Sequence, residues 1–213
     1  MGKKFWIVTM LLVAGLAGFA WLGGVKDVAA PEASSGSGAI VKHITGKQDA
    51  AITLVEYSDF QCPACGAYYP VVEQIVEKYK NEISFEYRHY PLTSIHRNAF
   101  AAARASEAAG KQGKFWEMYR LLFTRQSSWS ESGNAQTIFE GYAKQLGLDV
   151  NRYKTDFASS ETNDAINASI QEFNKRGLPQ STPTLLLNGK KIQPRDAKDF
   201  SRLIDEQFKT AGQ

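Results

Sequence analysis

Charge is absent from Phe5 through Val25, a run of 21 residues between the basic start Met1-Gly2-Lys3-Lys4 and Lys26. As a helix it would be about 31 Å long, enough to cross a hydrocarbon core of about 30 Å. The pattern predicts a membrane anchor over 5–25. A secretory signal has the same basic start, but the cleavage sites on offer suit one poorly: Val28-Ala29-Ala30 stands before Pro31, and Gly18-Phe19-Ala20 lies inside the apolar run. Lys3 and Lys4 place residues 1–4 in the cytoplasm as a short tail, and the rest of the chain outside it. Residues 27–38, DVAAPEASSGSG, have almost nothing to bury. They read as a flexible tether, taken here as 26–43.

After the tether the periodicity changes. Ala51 to Tyr57 is a β-rich run bounded by Ser58-Asp59 and predicts a strand. Val71, Val72, Ile75, Val76 and Tyr79 have the spacing of a helix with one buried face, and Ile83 to Tyr90 predicts a second strand. A strand, a helix and a strand make a βαβ unit, hence a parallel pair with a right-handed crossover. From 97 to 176 the pattern is helical, in segments 97–110, 114–126, 134–146, 150–158 and 161–176. Thr184 to Ile192 predicts two short strands around Asn188-Gly189, a strong hairpin signal, and a last helix spans about 196–209. The fold class is α/β. Phe115, Trp116, Tyr119 and Phe123 share a helical spacing and belong to a core; Trp129, in a serine-rich loop, is a candidate for facing a substrate.

Composition narrows the function. With 43% hydrophobic and 22% charged residues the chain is neither disordered nor fibrous. The net charge is only +3, which leaves no electrostatic footprint for nucleic acid. Two cysteines are too few for a disulfide-stapled scaffold or a four-thiolate zinc site, and both lie within four residues, at Cys62 and Cys65.

That pair stands where the first strand gives way to the helix. With Cys62 as N-cap, Pro63 takes the first helical position, where its missing N–H costs little. The amides of Ala64 and Cys65 can then point at the Cys62 sulfur, and the helix dipole favours a thiolate there. Cys62 is the predicted nucleophile. Cys65, one turn further in, is near enough to close a disulfide and is the shielded, resolving thiol. Stabilising the thiolate stabilises the dithiol, which makes the disulfide a stronger oxidant. Two other readings stay open: a purely structural disulfide, and a metal site, for which none of the three histidines has ligand spacing to the cysteines.

Glu56-Tyr-Ser-Asp-Phe-Gln-Cys-Pro-Ala-Cys65, preceded by Gly46-Lys-Gln-Asp-Ala50 and followed by Ser181-Thr-Pro-Thr184, resembles the DsbA-like thioredoxin-fold oxidoreductases. It is most similar to their membrane-tethered, BdbD-type branch, and the likeness covers about 44–209. The resemblance implies a thioredoxin fold in two halves, 44–95 and 178–213, with an inserted helical subdomain at 96–177. It matches Pro183 to the family's cis-proline, whose preceding Thr182 would offer its backbone to an extended substrate. It matches Glu56 to the family's buried acid. Glu56 shares a strand face with Ile52 and Leu54, so burial would raise its pKa and let it exchange a proton with Cys65. His96 resembles a recurrent family position and, with His43 and His89, reads as structural. The implied activity is donation of the Cys62–Cys65 disulfide to reduced exported polypeptides, outside the cytoplasm. Reoxidation would fall to a quinone-linked membrane protein of the DsbB or vitamin K epoxide reductase type. No organic cofactor or metal is required. Rival readings are a reductase or isomerase of the same fold, and a binding or chaperone module with incidental cysteines.

Overall fold

The computed structural model describes residues 40–211. The expected cytoplasmic tail 1–4, the anchor 5–25 and the tether up to residue 39 lie outside the described residues. Among the described residues no helix is long and apolar enough to cross a membrane.

Five strands form one sheet in the order β1-β3-β2-β4-β5: β1 His43–Gly46, β2 Ile52–Ser58, β3 Ile83–His89, β4 Thr184–Leu187 and β5 Lys190–Ile192. β2 and β3 are parallel and the other pairs antiparallel. Helix α1, Pro63–Lys78, links the parallel pair, as a βαβ unit requires. Between β3 and β4 come α2 Ala99–Gly110, α3 Phe115–Thr124, α4 Gln126–Trp129, α5 Ala135–Gln145, α6 Val150–Ala158 and α7 Ser160–Lys175; α8 Ala197–Ala211 closes the chain. Asn188 and Gly189 turn the β4–β5 hairpin at φ 48° and 77°, both in the left-handed region that such two-residue turns demand.

The alternation along the strands divides the core. Ile52, Leu54, Ile83, Phe85, Leu185 and Leu187 form one buried cluster with Val72 and Ile75 of α1 and Phe200 and Ile204 of α8. Tyr57, Tyr90 and Leu186 pack with Phe173 of α7 in another. The helical block has its own core of small alanines from α2 against Phe115, Met118, Tyr119, Leu122 and Phe123, and this core reaches Phe60 and both cysteines. The cysteine turn therefore sits at the seam between sheet and helical block.

Two elements differ from expectation. β1 was not signalled: its four residues HITG lack alternation, and pairing with β3, not propensity, makes them a strand. It begins at His43, inside the span expected as tether. Trp129 faces no solvent. It belongs to the one-turn helix α4, is fully buried, packs edge-on to Phe139, and donates its indole N–H to the Leu122 carbonyl at 2.9 Å. The serines around it suggested a loop; burying one indole with its N–H satisfied outweighs that local composition.

Candidate active site

At the C-terminal end of β2 the chain must turn into α1 within four residues, and Asp59 organises that turn. Its side chain is fully buried, with Oδ1 accepting the Gln61 N–H at 2.8 Å and Oδ2 accepting the Leu92 N–H at 2.9 Å and the His96 ring N–H at 2.6 Å. Its backbone carbonyl accepts the Cys62 N–H at 3.1 Å. His96, expected as structural, is thus a hydrogen-bond partner of an acid three residues before the cysteine.

Cys62 is the N-cap of α1 in an extended conformation (φ −64°, ψ 121°), followed by Pro63 in the first turn. The first turn carries no acidic side chain that would compete for its amides. Both cysteines are free thiols in this structure. The Cys62 thiol falls to about 5, first because the Cys65 thiol donates to its sulfur; Thr182 and the amides of Cys65 and Ala64 add to this against the opposing effect of burial. Cys65 is fully buried, and burial pushes its thiol well above the ordinary value, with the Cys62 and Glu56 charges acting in the same direction. One cysteine is poised as thiolate and leaving group, the other as a protonated thiol.

The remaining expected residues converge on the pair. The Thr182–Pro183 peptide is cis, and the Cys62 thiol points at the Thr182 carbonyl at 3.6 Å. Pro183 lines a shallow groove with Tyr68, Leu185, Ile192, Gln193 and Pro194. Glu56 lies on the buried face of β2 with Ile52 and Leu54 and is 2% exposed. Desolvation raises its pKa to about 7, and its charge acts on Cys65. Glu56 Oε2 and the hydroxyls of Ser58, Tyr87 and Tyr119 are buried with no protein partner.

His43 and His89 have a different role from the cysteines. Both ring Nε2 atoms donate to one oxygen of Glu107, at 2.7 and 2.9 Å, tying β1 and β3 to α2. These are the residues that bring three possible metal donors within 4.8 Å among the described residues. The two hydrogen bonds to a single carboxylate oxygen already satisfy them without an ion. Burial opposes ionisation of Glu107, but the bonds from His43 and His89 prevail and hold it at about 2.

Sequence reasoning missed the amides that brace the turn. Gln61 accepts from the Asn98 N–H and donates to the Ser130 carbonyl, both at 2.7 Å, and Gln126 donates to the carbonyls of Phe60 and Cys62 at 2.7 and 2.9 Å. Nothing in residue type marks these glutamines. The one signal was Gly66, a glycine inside a helix.

The thioredoxin family model matches residues 39–206. Among solved structures, a thioredoxin-like oxidoreductase from Silicibacter pomeroyi is 25% identical, with a TM-score of 0.66 over 79% of this chain and 92% of its own. BdbD from Bacillus subtilis (22% identical, TM-score 0.70, 79% and 93% covered) and alpha-DsbA1 from Wolbachia pipientis (21%, 0.70, 80% and 92%) share the fold. In sequence the chain is 36% identical over 166 residues to the Na(+)/H(+) antiporter NhaA 1 of Mycolicibacterium gilvum, covering 76% of this chain and 26% of that protein. It spans about a quarter of the length of such relatives, so their transport activity does not carry over. The family match over 39–206 encloses the cysteine pair and every residue around it, and the chain belongs to the thioredoxin family.

Proposed function

We propose that the protein works outside the cytoplasm, held by the apolar segment 5–25, and donates the Cys62–Cys65 disulfide to reduced exported polypeptides. The donor role rests on the placement of Cys62 at the start of α1 beside the Thr182 carbonyl with Cys65 buried behind it, which lowers Cys62 to about 5 and raises Cys65. A stabilised Cys62 thiolate favours the dithiol product and so drives electrons from substrate into the enzyme.

A substrate thiolate attacks Cys62 Sγ, the Cys62–Cys65 bond breaks, and its electron pair leaves on Cys65. Glu56, half-protonated near neutral pH, lies beneath the pair and supplies the proton that Cys65 takes up. The second substrate thiolate then attacks the substrate sulfur of the mixed disulfide, and Cys62 leaves as its stabilised thiolate. The substrate loses two electrons and the enzyme gains them. Thr182, with Pro183, offers a backbone edge to an extended substrate beside the pair. The cysteines carry both electrons, so the reaction needs no cofactor; a quinone-linked membrane oxidant of the DsbB or vitamin K epoxide reductase type would restore the disulfide.

The test is oxidation of a reduced, unfolded polypeptide by the disulfide form, followed as loss of substrate thiols. One disulfide delivered per enzyme is expected, with no delivery by Cys62→Ser and a trapped Cys62 mixed disulfide in Cys65→Ser offered an oxidised substrate. Delivery by Cys62→Ser would overturn it, as would binding of polypeptide with no thiol loss.

A further inference from the structure

We propose that Gln126, carried on the helical block, is a positioning residue for the Cys62 turn. The inference rests on the proposed chemistry of Cys62 and adds a residue to it. The side-chain amide of Gln126 donates both of its hydrogens, one to the Phe60 carbonyl at 2.7 Å and one to the Cys62 carbonyl at 2.9 Å. Those carbonyls bracket the Gln61–Cys62 segment, so a single planar group fixes the backbone on both sides of the residue that precedes the nucleophile. The amide is itself anchored: Trp129 of the same short helix is fully buried, and the Ser130 hydroxyl donates to the Gln126 carbonyl. Gln61 and Asn98 complete the brace, Asn98 donating to the carbonyls of Trp129, Ser130 and Ser132 at 2.9–3.0 Å.

Gly66 supplies an independent observation. A Cβ at that position would lie 2.5 Å from Gln126 Oε1 and 2.9 Å from its Cδ. Glycine inside a helix costs about 1 kcal/mol relative to alanine, and here the missing side chain is the space in which the amide sits. A local rule broken next to a reactive centre marks a functional constraint.

Holding the turn fixes where the Cys62 sulfur sits, at the start of α1 and 3.6 Å from the Thr182 carbonyl. The titratable groups that act on the pair are Cys62 and Cys65 themselves, both on α1, and Glu56 of β2 beneath them. Gln126 has no charge, so its effect on Cys62 comes through geometry.

Two variants of the full chain test this: Gln126→Ala, which removes the amide, and Gly66→Ala, which fills its seat while raising helix propensity. Cys62 ionisation is read by thiolate absorbance against pH, exchange by the rate with a small disulfide, and folding by thermal denaturation. Both variants are expected to raise the Cys62 midpoint by about half a pH unit or more, a threefold drop in thiolate below the midpoint, with slower exchange. The double variant should add little to either, because both remove one contact. Gly66→Ala meets only the end of the Gln126 side chain and is expected to fold, as thermal denaturation will check, and in the folded variant a role confined to stability would leave the midpoint unmoved. An unchanged midpoint and rate in folded Gly66→Ala, or full additivity in the double variant, would overturn the inference. Loss of exchange in the unmodified protein would instead fault the proposed chemistry.

Discussion

Replacing Glu56 by Gln should change how the stability of the protein depends on pH, in a direction set by burial. An exposed glutamate titrates near 4.5, whereas desolvation holds Glu56 at about 7 in the folded state. A raised folded-state value means that the native protein binds more protons than the unfolded chain between those limits, so stability is greatest below 4.5 and is lost as pH rises to 7. At 1.36 kcal/mol per unit the loss amounts to about 3 kcal/mol. Glutamine has no charge to desolvate and should lack this fall. The assay is urea unfolding of both proteins in the disulfide form, in which neither cysteine titrates, at pH 5 and pH 8. Any constant offset from the new amide cancels in the comparison of the two pH values. Relative to wild type, Glu56→Gln should gain about 2–3 kcal/mol on going from pH 5 to pH 8. A difference that stays flat with pH would refute the placement of the carboxyl in a desolvated pocket, and with it the supply of a proton to Cys65.

Glu107→Gln leaves two buried histidine rings facing a neutral amide. The carboxyl is held at about 2, below its unfolded value, so its contribution is present above 4.5 and lost as pH falls toward 2. The variant should be about 3 kcal/mol less stable at neutral pH, with the gap closing in acid; an equal gap at pH 7 and pH 2.5 in urea melts would contradict the pairing. Trp129→Ala should cost about 3–5 kcal/mol and lower Tm by about 10 °C, whereas a residue free to meet substrate would cost little. Exchange by the dithiol with a small disulfide should rise with pH around 5 as Cys62 ionises, and a rise delayed to about 8.5, the value of an ordinary thiol, would count against a stabilised thiolate.

Much of the fold was readable because its elements are locally consistent. Alternating residues through Ile52, Leu54 and Glu56 mark one face of β2, and the same alternation buries the acid. The Asn188-Gly189 pair fixes the hairpin because few other residues adopt its positive φ values. Helix boundaries in the block follow from periodic apolar residues, and all five segments match to within two residues at each end, while the one-turn helix Gln126–Trp129 carries no such pattern. What was hidden depends on tertiary partners. His43 becomes part of a strand only because Tyr87 pairs with it, and its ring matters only because Glu107 is 64 residues away. The cysteine pair is legible as a motif because the helix start supplies its physics locally. The bracing of that pair by Asp59, His96, Gln61 and Gln126 is not, since apart from the bonds of Asp59 to Gln61 and Cys62 within the turn, its bonds join segments more than 30 residues apart.

The central claim is that the Cys62 thiolate is stabilised enough to make the disulfide an oxidant, and its reduction potential tests this most directly. Compared with a nucleophile titrating near 7, as in thioredoxin, a thiol at about 5 stabilises the dithiol at pH 7 by about 2.3 kcal/mol, or about 50 mV for two electrons. Equilibration of the Cys62–Cys65 pair with glutathione should therefore place it at about −220 mV or above. A value near −270 mV, that of thioredoxin, would contradict the disulfide-donor account and point to a reductase.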